Sequence, residues 1–524
     1  MLKQCEDTVM IELKQMSDLT GFIRTHRLSG EDLREIQLQG KDLREVVNNY
    51  NVLVSEKKQV KLIKPATEEE GLISIDNLLD DLAYGYEAIE NKPVKFTPMS
   101  GAASRMFGFL ESYYQNASDD DNEKVNTFIK GLDERQPGPH FSFVRELKDV
   151  LKRDNLNLSK LVDEKKYKTI ISYVLNENGL NYRNKPKALI PFHVQNGRAI
   201  LALEAQMEEA LRYGNGNLFI TILHEHQDQF IQAIEKIKKE NNELSQVYIH
   251  ISEQYNSTNT IAIDPATKEI VRNNDGKISF FPAGHGALIK NLPNSGPSIL
   301  RNVDNVTSDE IRKQVIDKYH KAFSVYLSQI KTKVSTILTR LDADSISETD
   351  LRDQMFALQK QGFQLIIDND SFSNAPFDEM KRIARIALNR PIKIVGVVKN
   401  QGEPGGGPFI IEYGDYRIIS IVEKDEIPLE QKSLMEKGKY FNPVDILADP
   451  VDYKGNFFDL TEFINKSRYF IVSRRFLGKE VKRMEHPGLW NGTMDGWNSI
   501  YVVMPNETFA PVKEVNDLLR LEHQ

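Results

Sequence analysis

Residues 95–109 read KFTPMSGAASRMFGF. Lys95-Phe96-Thr97 has strand character, Ser100-Gly101-Ala102-Ala103-Ser104 is a run of small residues, and Arg105 heads a segment with the apolar spacing of a helix. An arginine in a first turn is disfavoured by the helix dipole by about 0.3–1 kcal/mol. A bound anion removes that penalty. A small-residue loop running from a strand into a helix also exposes backbone N–H groups, so the stretch predicts a phosphate cradle made by residues 100–105.

The composition agrees with a local anion site and excludes several alternatives. The chain has 524 residues, enough for a large α/β domain with additions, and a formal net charge of −8. An acidic balance argues against nucleic-acid binding by bulk electrostatics. The single cysteine, Cys5, rules out an internal disulfide framework and a cysteine-rich zinc site. No run of about 18 apolar residues occurs, and the N-terminus lacks the apolar core of a signal peptide, so a soluble cytoplasmic protein is expected, with no membrane partner.

Outward from the loop, residues 1 to about 65 read as helices. LSGEDLREIQLQG has Ser29 as N-cap, Asp32 at the capping-box position and Gly40 as the stop. Residues 112–182 read as a helical insertion rich in charged and amide residues. Beyond it AILALEAQMEEALRY is helical, whereas NLFITIL, QVYIHIS, TIAID and SILRNV are short β runs. Alternation of this kind predicts an α/β core. IKIVGVV, FIIEY, RIISIVE, YFIVS and SIYVVM continue the sheet or build a second one. Apolar residues from Ile311 to Leu341 recur at steps of three and four, giving one long helix whose expected role is packing.

Further stretches carry candidate chemistry. In NKPKALIPFH, Pro186 holds Lys185 extended and starts a strand-like run, presenting Lys187 as a point charge for phosphate. In FFPAGHGALIKNL, Gly284 and Gly286 flank His285 and permit close backbone approach. ILRNVDNV ends in Asp304-Asn305, a carboxylate where open α/β sheets bind ligands and metals. ETFAPVKEVNDLL places Lys513 after Pro511. The run Gly405-Gly406-Gly407 reads either as a sugar or phosphate lining or, with more weight, as a flexible loop.

In this order the segments resemble the UDP-sugar pyrophosphorylases, nucleotidyltransferases with a Rossmann-like GT-A core and mixed sheet. Over most of its length the chain also resembles a bacterial family known as DUF4301, through the Ser-Gly-Ala-Ala-Ser-Arg-Met loop and the later glycine run. Ser100 to Arg105 take the places of Gly-Gly-x-Gly-Thr-Arg, with Ser100 and Ala103 replacing glycines. Pro186-Lys187, Pro282-x-Gly284-His285-Gly286, Asp304-Asn305 and Phe509-x-Pro511-Val512-Lys513 match the later motifs. The resemblance implies joining of a nucleoside triphosphate, UTP by analogy, to a sugar 1-phosphate with release of pyrophosphate. It implies Arg105, Lys187 and Lys513 as catalytic cations and Ser100, Gly101, Ala102, Ala103, Ser104, Gln254, Gly284, His285 and Gly286 as nucleotide-binding. Mg²⁺ is implied as cofactor, on Asp304 with Asp445 as a second ligand. A catalytically silent nucleotide-sugar sensor on the same fold is the alternative. The expected organisation is a helical arm over 1–70, a nucleotidyltransferase-like core over 71–445 and a segment completing the site over 446–524.

Overall fold

The computed structural model of the protein describes residues 18–55, 60–101, 103–115, 122–402 and 405–524. Cys5, Ala102 and the Ser104 side chain lie outside the described residues, as does the start of the helical arm.

An eight-stranded mixed sheet forms the centre, in the spatial order Leu72–Ile73, Asn498–Val503, Ile392–Lys399, Tyr440–Asp449, Ser298–Leu300, Val94–Pro98, Asn217–Ile222, Tyr248–Glu253. Every neighbouring pair is parallel except the two made by Tyr440–Asp449. Seven strands therefore run one way and one runs against them. The central strands Ile392–Lys399 and Tyr440–Asp449 are buried almost throughout, so neither alternates apolar with exposed polar residues, and Lys393, Asn442 and Asp445 are buried polar members among the apolar ones. From Val94–Pro98 the chain builds outward through Asn217–Ile222 and Tyr248–Glu253, then crosses to Ser298–Leu300 on the other side. The order reverses between Val94–Pro98 and Ser298–Leu300, and at such a switch point the loops leaving the strands diverge and open a crevice.

The long helix spans Glu310–Asp342 with Asp309 as N-cap. Tyr319, Phe323, Ile330, Val334, Ile337 and Leu341 enter one core with Ile394, Leu447 and Ile500 of the sheet, whereas Ile311 is exposed. Packing is not its whole role, because it also carries His320 to the carboxylate of Asp445.

The insertion consists of the helices Glu123–Leu132, Val144–Arg153, Leu158–Asp163 and Tyr167–Leu175. Their core is continuous with Ala103, Met106 and Phe107 of the loop region and with Val512, Val515 and Leu518 of the C-terminal segment. The insertion thus buttresses the loop from behind. In the N-terminal arm, the capping box of Ser29 and Asp32 starts the helix Gly30–Leu38, and Gly40 takes a positive φ past its end. The arm is not helical to its end: Leu62–Pro65 is a strand pairing with Gly407–Tyr413. The division expected at 445/446 falls inside the strand Tyr440–Asp449, and the helix read over 199–213 begins only at Ala202, Arg198–Leu201 being a strand. No helix among the described residues is long and apolar enough to cross a membrane.

Candidate functional site

Four sequence-distant segments meet at the C-terminal ends of Val94–Pro98 and Ser298–Leu300. The Lys187 N–H donates to the Gly101 carbonyl (3.2 Å) and the Ala103 N–H to the Lys185 carbonyl (3.2 Å), so the Pro186-Lys187 step lies directly on the loop although about eighty residues intervene. The Val512 N–H donates to the Asp304 carbonyl (3.0 Å), the Ala510 N–H to Asn305 Oδ1 (2.9 Å), and the Val515 N–H to the Met106 carbonyl (2.9 Å). Backbone bonds therefore fix loop, lysine step, Asp-Asn pair and Lys513 arm relative to one another.

The local conformations differ from expectation at three points. Ala103–Arg105 is a single 3-10 turn and the α-helix starts later, at Gly108. Lys187 opens another 3-10 turn, Lys187–Leu189, with its strand beginning only at Pro191. The strand before Asp304 stops at Leu300. Neither Ser100 nor Gly101 takes a positive φ, and a Cβ added at Gly101 would meet nothing within 4 Å. Serine therefore stands at position 100 without backbone strain, over an open face.

The electrostatics of this cluster are unbalanced towards cations. Lys187 Nζ lies 2.6 Å and Lys513 Nζ 3.3 Å from the same oxygen, Asp304 Oδ2. Burial works to raise the Asp304 carboxyl, but the charges of Lys513 and Lys187 together hold it below the usual aspartate range. Burial pushes the Lys187 ammonium down, against the pull of Asp304. Lys187 also donates to the Val512 carbonyl. One carboxylate thus serves two ammonium groups, and its other oxygen, Asp304 Oδ1, is buried with no hydrogen-bond partner. Arg105 is exposed and has no ion pair among the described residues. This surplus positive charge suits a polyanion.

His285 feels the charge of Arg105. Burial lowers its pKa, Glu423 and Glu485 oppose that, and Arg105 adds to it. Its Nδ1 accepts the Leu489 N–H (3.1 Å) and its ring stacks on Trp490 at 4.4 Å. The flanking glycines are required by the segment 485–487: a Cβ on Gly286 would lie 1.8 Å from the Pro487 carbonyl, and one on Gly284, at φ +77°, 3.0 Å from the Glu485 carboxylate. Asn291, in the turn that follows, donates to the Glu253 carbonyl (2.9 Å) and so ties this loop to the end of Tyr248–Glu253, where Gln254 donates to Thr258 Oγ1 (3.3 Å).

A family model described as a domain of unknown function, DUF4301, matches residues 29–524. The chain belongs to the DUF4301 family. No curated protein matches it. Among solved structures, UDP-N-acetylglucosamine pyrophosphorylase from Trypanosoma brucei is similar at 12% identity and TM-score 0.45, over 94% of this chain and 79% of that one. UDP-glucose phosphorylase from Trypanosoma brucei is similar at 12% identity and TM-score 0.44, over 93% and 76% of the two chains. A point mutant of UDP-glucose pyrophosphorylase from Leishmania major, in complex with UDP-Glc, is similar at 10% identity and TM-score 0.43, over 93% and 78%.

In this DUF4301 chain the glycine run is not a free loop. Gly406 and Gly407 are buried, a Cβ on Gly407 would lie 2.5 Å from the Tyr440 carbonyl, and one on Gly405 would lie 2.6 Å from the Phe441 ring. The run walls a cavity of about 590 Å³ that Asn400, Glu423, Lys432, Tyr440 and Phe441 also line. The Phe441 ring lies 5.2 Å from that of Phe509, tilted by 39°, at the start of the Lys513 arm, and Glu423 is also one of the charges felt by His285. Phe441 thus links the cavity to the segment that leads to Lys513.

Asp445 is not brought to Asp304. It is fully buried, 2.8 Å from Arg301 Nε and 3.4 Å from His320 Nε2, and shares no partner with Asp304 among the described residues. No group of three or more His, Cys, Asp or Glu side chains arranged to hold a metal is found among the described residues. A Mg²⁺ shared with phosphates needs only one or two carboxylates, and the buried, unpartnered oxygen of Asp304 has the chemistry for one.

Two neighbours were not legible beforehand. Lys185, lowered by burial and set with its Nζ 5.2 Å over the Tyr182 ring, adds a cation behind the loop. The Lys-Pro-Lys spacing was its only sequence signal. Glu423 follows an ordinary strand and had none.

Proposed function

We propose that the protein is a nucleotidyltransferase on a Rossmann-like GT-A core, joining a nucleoside triphosphate, UTP by resemblance, to a sugar 1-phosphate. A phosphate oxygen of the sugar phosphate attacks the α-phosphorus; the new P–O bond forms as the bond to the β-phosphate oxygen breaks, and pyrophosphate leaves. Two anions must meet, so catalysis asks for positioning and charge neutralisation. The observation that carries the reading is the sharing of one carboxylate by Lys187 and Lys513 at the switch point of the sheet, with Arg105 exposed on the loop that Lys187 bonds through its backbone.

In this reading the loop from Ser100 to Arg105, including Ala102, Ala103 and Ser104, cradles the triphosphate, and Arg105 stabilises charge developing on the departing pyrophosphate. Lys187 faces the α-phosphate and Lys513 the sugar phosphate. Gln254 and the turn of Gly284, His285 and Gly286 border the base and ribose. The cavity beside Gly405–Gly407 takes the sugar, with Glu423 accepting from its hydroxyls. Asp304 would hold Mg²⁺ through its unpartnered oxygen; when bound, the ion would neutralise phosphate charge.

The test is pyrophosphate release from UTP, dTTP, GTP, CTP and ATP with Mg²⁺ and a panel of sugar 1-phosphates, with Arg105→Ala as control. Release that requires one triphosphate, one sugar phosphate and Arg105 is expected. Absence of release across the panel, in protein that still binds a nucleotide sugar, would replace the enzyme by the sensor.

A further inference from the structure

Directly beneath the cation cluster lies a second charged group that the reaction does not use. Lys95 and Arg301 are wholly buried and both pair with Glu209, at 2.6 and 3.1 Å. Arg301 Nε forms an ion pair with Asp445 Oδ1 (2.8 Å) that lacks hydrogen-bond geometry, so charge rather than a directed bond joins them, and His320 approaches the same oxygen at 3.4 Å while stacking on Tyr213 at 4.6 Å. Two cations thus meet two anions. Burial holds His320 below the usual histidine range despite Asp445, so it adds no charge.

Each member belongs to an element that leads into the site. Lys95 is on the strand ending at the loop, Arg301 lies three residues before Asp304, and Arg301 Nη2 donates to the Thr508 carbonyl (3.3 Å), where the Lys513 arm begins. Glu209 sits on the helix Ala202–Tyr213, whose Gln206 donates to the carbonyls of Asn302 (3.0 Å) and Val303 (3.2 Å) and accepts from Thr97 Oγ1 (3.2 Å). Dry charges are costly, and an apolar filling of similar volume is often as stable. A fork-shaped guanidinium, unlike an apolar side chain, fixes the direction of each group it binds.

We propose that Asp445 and Arg301 are positioning residues: Asp445 orients Arg301, and Arg301 holds the Thr508 carbonyl and so sets the Lys513 arm against Asp304. This rests on and deepens the nucleotidyltransferase reading, and gives Asp445 a role other than metal ligation.

The experiment uses the full chain with Asp445→Asn, Arg301→Lys and the double variant Arg301→Met/Asp445→Leu, which removes one charge of each sign and so keeps the pocket balanced. Amide hydrogen exchange is read over 506–516 and over the helices of 123–175, and pyrophosphate exchange is followed against UTP and Mg²⁺ concentration. Expected are a rise of about tenfold or more in exchange of the arm, with the helices unchanged, and a fall of about 10–100-fold in turnover with Mg²⁺ half-saturation within about twofold of the parent. A shift of Mg²⁺ half-saturation in Asp445→Asn with a quiet arm would overturn the proposal and return Asp445 to the metal. Unchanged arm exchange in the folded double variant would also overturn it. If the parent protein shows no pyrophosphate exchange, the reaction reading fails, and the amide measurement still decides the positioning role.

Discussion

Asp304 and Arg301 lie three residues apart, yet they anchor opposite kinds of electrostatic environment. Around Arg301, two cations and two anions are sealed from water and matched. Around Asp304, two lysines share one oxygen, the other oxygen lacks a partner, and Arg105, with no ion pair among the described residues, stands exposed nearby. The group around Arg301 is balanced in charge, although Arg301 Nε and both Asp445 oxygens lack hydrogen-bond partners; the group around Asp304 carries surplus positive charge and gains from an anionic ligand. Charge balance, rather than charge density, separates scaffold from site here, because a buried unpaired charge costs several kcal/mol and a sealed scaffold cannot tolerate it.

The strongest way to break this contrast is to unbalance the sealed group. Glu209→Gln leaves Lys95 and Arg301 with Asp445 alone and is expected to destabilise the fold by about 3–5 kcal/mol in urea unfolding. Lys513→Ala, at a half-exposed side chain, should cost less than about 1 kcal/mol. Equal losses in the two variants would remove the distinction.

Next in size, Arg105→Ala and Asp304→Asn should each lower turnover by about 10²-fold. Arg105→Ala should leave the unfolding midpoint unchanged, since its side chain is exposed. A midpoint that falls with activity would make Arg105 part of the scaffold.

Acid sharpens the comparison further. Burial tends to raise the Glu209 carboxyl, but Arg301, Lys95 and Arg212 outweigh it and bring its pKa down to about 2. A folded-state pKa below the unfolded value contributes stability that is present above the unfolded pKa and lost as pH falls through the folded one. Stability should therefore decline between about pH 5 and pH 2, and Glu209→Gln should flatten that decline in pH-dependent unfolding. On the alkaline side, burial lowers Lys187, so turnover should fall before an ordinary lysine titrates, and Lys187→Arg should move that limb upward.

The smallest effect concerns the replaced glycine. Ser100→Gly should leave turnover within about twofold, because the loop asks for no positive φ at that position. A large gain would mean that serine impairs the loop.

Much of this was legible in one dimension. Six of the eight strands of the sheet, the long helix from Glu310 and the Ser29 capping box follow from local periodicity and capping chemistry, which depend on neighbours within a few residues; Leu72–Ile73 is too short to show a pattern, and Asn442, Pro443 and Asp445 interrupt that of Tyr440–Asp449. The loop and the motifs of Lys187, Asp304 and Lys513 could be picked out by residue type, and backbone bonds bring them together. Asp445 was misplaced with Asp304 because an aspartate in a strand carries no mark of its partner. The glycine run looked like a loop because composition cannot reveal the Phe441 ring and Tyr440 carbonyl packed against it.

The sequence by itself determined the element types, the acidic balance and the identities of the charged groups, since those are properties of short windows and of composition. Only the tertiary structure decided which charges are paired. Long-range strand order sets Arg301 against Glu209 and Asp445, and leaves Asp304 between two lysines at the edge where the sheet reverses. Pairing is a matter of a few ångströms between residues 92 or more positions apart in the chain, and no local rule contains it.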